Sequence, residues 1–281
     1  MVDCAHGPIS DQAVALEPLD PKPIHLGQGY ARQFEDESIA RAYHSRPPYP
    51  LELFEALEAL FPAGPRSIVD LGCGTGEIAL GMLGRADRIL AVDPSPAMLE
   101  VARRRLGGDH PSLHWVCDSA EAFSIGGPHS LVIAAESLHW LEWGIVLPKI
   151  AQCLLPGAWL AIVSGRSLVD VPWSAELAPL IPRFSTNRDY RPYDLATEVQ
   201  RRGLFVEAGR RSTLPVAFSQ SMDDYVESFH TRNGFSRQRM SVQSAAAFDQ
   251  ALHELVSKYC PDGTVRGETC AEVIWGAALA R

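Results

Sequence analysis

Three aspartates, Asp70, Asp93 and Asp118, each stand at the end of a short apolar run, and Gly72, Gly74 and Gly76 follow the first. Glycine at every second position lets a backbone come close to a ligand. An acid just before such a loop can hold a cation or accept a hydrogen bond from it. The loop lacks the Gly-Lys-Ser/Thr ending of a nucleoside-triphosphate site. Its G-x-G-x-G spacing differs from the dinucleotide fingerprint G-x-G-x-x-G, and Asp70 is unsuited to a pyrophosphate. A cofactor with a positively charged amino-acid end suits both features. Asp93, at the tip of the second run, can accept both ribose hydroxyls, and Ser95 can cap the helix that follows. Asp118 can accept from an exocyclic adenine amine. Glu136-Ser137-Leu138-His139-Trp140 closes a fourth run and would overlie the reacting centre. His139 is the candidate base or acceptor contact there, because an unperturbed imidazole titrates near neutral pH. His44 and His230 are further candidates from the covering segments.

The elements that must position these residues are legible in the periodicity. Strand patterns fall at Ser67–Leu71, Arg88–Val92, Leu113–Cys117, Ser130–Ala134 and Trp159–Ser164, with later ones at Leu204–Thr213 and Ala271–Leu279. Helix patterns at Glu77–Leu83, Pro96–Leu106 and Trp143–Leu154 separate most of the first five. Short apolar strands alternating with amphipathic helices predict a doubly wound, mostly parallel seven-stranded α/β sheet covered on both faces. Ligands bind at the carboxyl ends of such strands. Further helices are expected at Leu51–Leu60, Asp194–Arg202, Met222–His230 and Ala245–Tyr259. Residues 1–26, rich in proline and without periodicity, read as a flexible tail.

The chain has 281 residues, 46% of them hydrophobic and 21% charged, as in ordinary globular domains. Its net charge of −9 disfavours a nucleic-acid partner. No apolar run would span a bilayer and no secretory signal is visible, so membrane association is not expected. Six scattered cysteines without a C-x-x-C pair predict reduced thiols in the cytoplasm and no metal site. Cys73, inside the glycine loop, is expected to pack beneath a cofactor.

The pieces Val69-Asp70-Leu71-Gly72-Cys73-Gly74-Thr75-Gly76, Val92-Asp93-Pro94-Ser95-Pro96-Ala97-Met98-Leu99 and Asp118-Ser119-Ala120-Glu121 together resemble the class I S-adenosylmethionine-dependent methyltransferases. Arg46-Pro47-Pro48-Tyr49-Pro50 and Ala135-Glu136-Ser137-Leu138-His139-Trp140 resemble the small-molecule branch that includes the trans-aconitate and related carboxyl methyltransferases. Glu136 departs from that branch, which more often carries Gln. The resemblance implies a Rossmann-like methyltransferase domain over residues 63–281. Cap helices would occupy residues 27–62, with cap insertions at about 165–192 and 221–262. It also implies S-adenosyl-L-methionine as cofactor. Leu71, Gly72, Cys73, Gly74 and Gly76 would cradle it, and Asp70 would orient its amino group. Asp93 and Pro94 would meet the ribose and Met98 the adenine face. Asp118, Ser119 and Ala120 would read the adenine, and Glu136 and Ser137 would line the sulfonium end. Arg46 would reach the carboxylate.

The implied reaction is methyl transfer to a small-molecule acceptor, at a carboxylate or hydroxyl oxygen. The arginines Arg166, Arg183, Arg188, Arg191, Arg232, Arg237 and Arg239 suggest an acidic acceptor, clamped by one or two of them. Tyr30, Phe34, Trp173, Tyr190, Tyr225 and Phe229 are candidates for a lid that excludes water. Two alternatives stay open: non-methylating chemistry on the same cofactor (a cyclase or a modified-cofactor transfer), and a cofactor-binding interaction module without turnover. A monomer and a homodimer both fit.

Overall fold

A computed structural model describes residues 19–280. The strands are β1 (Ser67–Leu71), β2 (Arg88–Asp93), β3 (Leu113–Cys117), β4 (His129–Ala135), β5 (Leu154–Ser164), β6 (Leu168–Val169), β7 (Phe205–Ser212), β8 (Val216–Ser221), β9 (Thr264–Thr269) and β10 (Glu272–Ala278). Seven of them form one sheet in the order β3-β2-β1-β4-β5-β10-β7. The first five are parallel, while β10 runs antiparallel to both β5 and β7. The predicted seven-stranded, mostly parallel sheet is present.

Residues two apart on a strand face the same side, and the two sides carry separate cores. Val69, Leu71, Val92, Val132 and Leu160 pack with Trp143, Leu147 and Ile150 on one face. Ile68, Ile89, Leu131, Ile133 and Val163 pack with Leu53, Leu57, Ile78 and Leu99 on the other. The main helices are α1 (Glu37–Ala42), α2 (Leu51–Glu58), α3 (Glu77–Gly81), α4 (Pro96–Arg104), α5 (Trp143–Cys153), α6 (Leu195–Arg201), α7 (Met222–His230) and α8 (Val242–Ser257). Helix α5 covers the first face, and α2, α3 and α4 cover the second. Ser95 starts α4 with a side-chain cap on the Met98 N–H at 3.3 Å, and Pro96 follows it at a position that needs no donor.

Between β5 and β10 the chain builds a cap with a core of its own. Trp173, Phe184, Phe229, Phe248 and Val265 lie at its centre. A small antiparallel sheet, β6-β9-β8, supports it. The sequence patterns did not single out these three strands. At the N-terminal side, Ile39 and Ala40 of α1 pack on Met98 of α4. That contact brings the segment before α2 over the carboxyl ends of the sheet. Residues 1–18 of the expected tail lie outside the described residues. Residues 19–26 differ from the expected tail: Leu26 is buried, Leu19 packs on the core, and the Lys22 Nζ donates to the Leu141 carbonyl at 2.9 Å. Among the described residues, no helix is long and apolar enough to cross a membrane.

Candidate active site

A cavity of about 980 Å3 lies at the carboxyl ends of β1, β2 and β4, between the sheet, the N-terminal segment and the cap. Its sheet side begins at the glycine loop. Gly72 has φ 69°, and a Cβ there would sit 2.5 Å from Ser137 Cβ. Both facts require glycine, and the bare backbone forms part of the cavity wall. Gly76 has φ 81° and would drive a Cβ into the Trp115 ring at 2.5 Å. The Ser137 hydroxyl donates to the Leu71 carbonyl at 2.5 Å, tying the end of β4 to the loop.

Asp93 lines the cavity and is anchored from below. One oxygen accepts the Gly74 N–H at 2.8 Å, the other the Ser95 N–H at 2.9 Å. Burial raises its pKa to about 6, against the lowering effect of these two bonds. Each oxygen keeps a lone pair for a ligand hydroxyl. Pro94, Met98 and Ser119 continue this part of the wall, joined by Glu121. Asp70 is only 1% exposed and stands behind the loop. Its Oδ2 accepts the Ala79 N–H at 3.2 Å, while its Oδ1 is buried without a partner among the described residues. Burial pushes its pKa up to about 7, with the Asp93 charge adding to the rise.

Of the residues expected to meet a cofactor, Arg46, Gly72, Gly74, Asp93, Pro94, Met98, Ser119, Glu136 and Ser137 line the cavity. Asp70, Leu71, Cys73, Gly76, Asp118 and Ala120 are not part of its lining. Leu71, Cys73 and Ala120 are core side chains. Asp118 turns one oxygen back onto the Ser119 N–H at 2.8 Å, orienting the turn that carries Ser119. Burial also pushes the Cys73 thiol well above its ordinary range, which suits packing rather than nucleophilic chemistry.

The reacting end differs from expectation in its electrostatics. His139 lines the cavity, its ring 4.6 Å from that of Trp140 and 6.3 Å from that of Tyr193, centroid to centroid. Burial lowers its pKa to about 4, with Glu136 opposing and Lys22 and Arg46 assisting. The premise of a neutral-range imidazole is therefore corrected: His139 is uncharged at pH 7 and only weakly basic. Glu136 adopts φ 53°, a left-handed conformation that costs a non-glycine residue about 1–3 kcal/mol. It is held there by its N–H on the Val163 carbonyl and by the Gly165 N–H on its Oε1, at 2.9 and 2.7 Å.

The arginines divide. Arg46, Arg166, Arg188, Arg191 and Arg232 line the cavity. Arg183 lies over Phe184, Arg237 pairs with Glu227 and Asp249, and Arg239 pairs with Asp36, so these three serve the cap. Arg46 donates to the Thr231 hydroxyl and carbonyl, both at 2.7 Å. Its guanidinium and that of Arg166 both lie over the Tyr43 ring, 4.8 and 5.2 Å from the centroid.

The lid aromatics divide too. Phe34 and Tyr190 line the cavity, and Tyr30 fastens the N-terminal segment by donating to Asp189 at 2.6 Å. Trp173, Tyr225 and Phe229 are instead the buried centre of the cap. His230 is buried with them, held by the Phe235 carbonyl and Asp249, and His44 is exposed. Sequence reasoning missed Tyr43, Glu121, Tyr193 and Asn233 as wall residues. Only Glu121 carried a signal, its place just after Asp118.

Residues 68–157 match the family described as "Methyltransferase domain". This stretch of the chain is similar to a methyltransferase domain. It is 33% identical over 148 residues to an uncharacterized methyltransferase of Mycobacterium tuberculosis, covering 52% of this chain and 58% of the relative. It is 38% identical over 115 residues to a trans-aconitate 2-methyltransferase of Pseudomonas aeruginosa, covering 38% of each. The chain thus spans about half the length of the curated relatives it matches. A solved structure described as a candidate type II methyltransferase from Anaeromyxobacter dehalogenans aligns with 84% of this chain and 99% of its own. That alignment has a TM-score of 0.59 at 25% identity. The likeness reaches well beyond the matched domain and includes segments of the cap. The mostly parallel seven-stranded sheet with flanking helices matches the Rossmann-like fold of such methyltransferase structures.

Proposed function

We propose that the protein is an S-adenosyl-L-methionine-dependent methyltransferase that acts on an oxygen of a small-molecule acceptor. The observation that carries this reading is the division of charge in one cavity. Asp93, Glu121 and Glu136 come from strand ends and the turns after them, Arg166, Arg188, Arg191 and Arg232 come from the segments beyond β5, and the N-terminal segment adds Arg32, Glu35 and Arg46. The cofactor would bring hydroxyls and cationic groups to Asp93 and Glu121, leaving Glu136 and the basic side for an acidic acceptor. Two details suit that cofactor: the cradle at Gly72 that a Cβ would fill, and the buried Asp70 Oδ1 that no group among the described residues satisfies. A volume of about 980 Å3 stands at the top of the ~300–1,000 Å3 range of ligand pockets, which suits two ligands side by side.

When bound, the cofactor supplies an activated methyl group on a sulfonium. The chain's task is then to hold the acceptor oxygen in line and to exclude water. Phe34, Trp140, Tyr190 and Tyr193 supply an apolar wall for that purpose. Neutral His139 would fix the acceptor by a hydrogen bond. A carboxylate acceptor requires no base, and a phenol or alcohol would gain little from so weak a one. A screen of acids, phenols and amines with mass detection of the methylated product tests the reading. A product 14 mass units heavier, formed with stoichiometric S-adenosylhomocysteine, is the expected result, and failure to bind the cofactor would overturn it.

A further inference from the structure

Two ionic side chains of the cavity wall have binding capacity that the protein does not use. Arg232 follows the end of α7 and is placed by its stack on Phe229, 4.0 Å from the ring centroid. Among the described residues its guanidinium makes no hydrogen bond and no ion pair, although Arg46 and Arg166 in the same wall each have hydrogen-bond partners. Burial, reinforced by the nearby charge of Arg46, lowers its pKa to about 10. The side chain is half-buried in the cavity wall, so an anionic ligand entering the cavity would find its N–H donors unoccupied. The planar fork of five N–H donors suits a carboxylate.

The second is Glu136, at the end of β4. The Gly165 N–H occupies Oε1 and the strained backbone fixes the side chain's origin. Among the described residues no donor takes Oε2, and an ionised carboxylate can only accept. Its charge reaches the groups around it, raising Tyr49 and Tyr193 and acting on both His139 and Arg232. Glu136 and Arg232 are not paired with each other. The wall therefore offers one place for an anion and a separate place for a hydrogen-bond donor. A ligand bearing only carboxylates would satisfy the first and be repelled at the second.

We propose that Arg232 and Glu136 together select an acceptor bearing a carboxylate with a hydroxyl or ammonium group near it, of the hydroxy-acid or amino-acid class. The inference rests on the methyltransferase reading for the site's other half, which the cofactor fills. Glu136 then sets acceptor specificity rather than cofactor affinity.

The test uses four matched probes: 3-phenylpropionate, phenyllactate, phenylalanine and phenylsuccinate. Each is titrated by calorimetry into the full-length protein, with and without saturating S-adenosylhomocysteine. One charge-assisted hydrogen bond gained or lost corresponds to roughly tenfold or more in affinity. Phenyllactate and phenylalanine are expected to bind about tenfold tighter than phenylpropionate, and phenylsuccinate no better than it. Glu136→Gln, nearly isosteric, should bring all four within a few-fold of one another. Arg232→Met should weaken all four about tenfold or more, with Arg232→Lys intermediate, and neither should change the affinity for S-adenosylhomocysteine.

Tightest binding of phenylsuccinate to the wild-type protein would overturn the proposal. So would Glu136→Gln weakening the cofactor product while leaving the probe ranking intact. Failure of S-adenosylhomocysteine to bind would count against the methyltransferase reading instead. The probe order on the free protein would then still decide the selectivity.

Discussion

At the scale of single residues, the site is governed by what burial does to its charges. Asp70 and Asp93 have folded pKa values near 7 and 6, above the ordinary 3.8. An acid shifted upward binds more protons in the folded state, so the stability it contributes is present below about pH 4 and is lost as pH rises through the folded value. For Asp70 alone the loss amounts to roughly 4 kcal/mol at pH 8, at about 1.4 kcal/mol per tenfold change. The cofactor-free protein should therefore melt at lower temperature at pH 8 than at pH 5, and Asp70→Asn should flatten that slope in a scanning-calorimetry series. Cofactor affinity should run the other way. It needs the ionised carboxylates, so the dissociation constant should rise as pH falls below about 6. His139, with a value near 4, stays neutral across that range. His139→Ala should lower turnover and spare cofactor affinity. The wild-type rate profile should show no ionisation of this group between pH 5 and 8; such a step, abolished in His139→Ala, would contradict its assignment as a neutral contact.

At the scale of elements, short strands and turns hold these residues in place. Gly72 joins β1 to the cavity wall with φ 69° and its Cβ position 2.5 Å from Ser137 Cβ. Gly72→Ala should cost about 1–3 kcal/mol in denaturant unfolding. Adding Ser137→Gly should return the part due to the clash and leave the part due to φ.

The N-terminal segment is fastened across the cavity by polar contacts. Tyr30 donates to Asp189 at 2.6 Å, Asn233 to the Tyr30 carbonyl at 3.0 Å, and the Gly234 N–H to Gln33 at 2.9 Å. Tyr30→Phe removes one such bond, worth about 0.5–1.5 kcal/mol net. Stopped-flow release of the cofactor should accelerate several-fold, while global stability changes little. Strand β1 was legible to the residue, because an apolar run buried on both faces leaves no ambiguity of period, and β3 was legible although it is a half-exposed edge strand. Strands β6, β8 and β9 were not. One has two residues, and Val216–Ser221 is largely exposed, so no buried face imprinted an alternation. Trp173, Tyr225 and Phe229 were read as lid because an aromatic that fills a cap core and one that closes a pocket look alike in sequence.

At the scale of the whole molecule, the parallel sheet supplies acidic strand ends and the cap supplies guanidinium groups, with one cavity between them. The sheet's half was legible because the turn after β1 requires glycine at Gly72 and Gly76, at fixed spacing from the acid at the strand's end. The cap's half was not, because Arg232 is brought to the cavity by a separate hydrophobic core and Tyr193 by packing on the sheet's core over a long sequence distance. The arginines in sequence carry no mark distinguishing Arg232, without a partner among the described residues, from Arg237, which pairs twice. The central claim is that the sheet's half holds S-adenosyl-L-methionine. Its most direct test is calorimetric titration of the full-length protein with that cofactor at pH 8, wild type beside Asp93→Ala. The expected result is saturable one-to-one binding that weakens about tenfold or more in the variant, as loss of hydrogen bonds to a charged group requires. Absence of binding, or equal affinity in the two proteins, would contradict it.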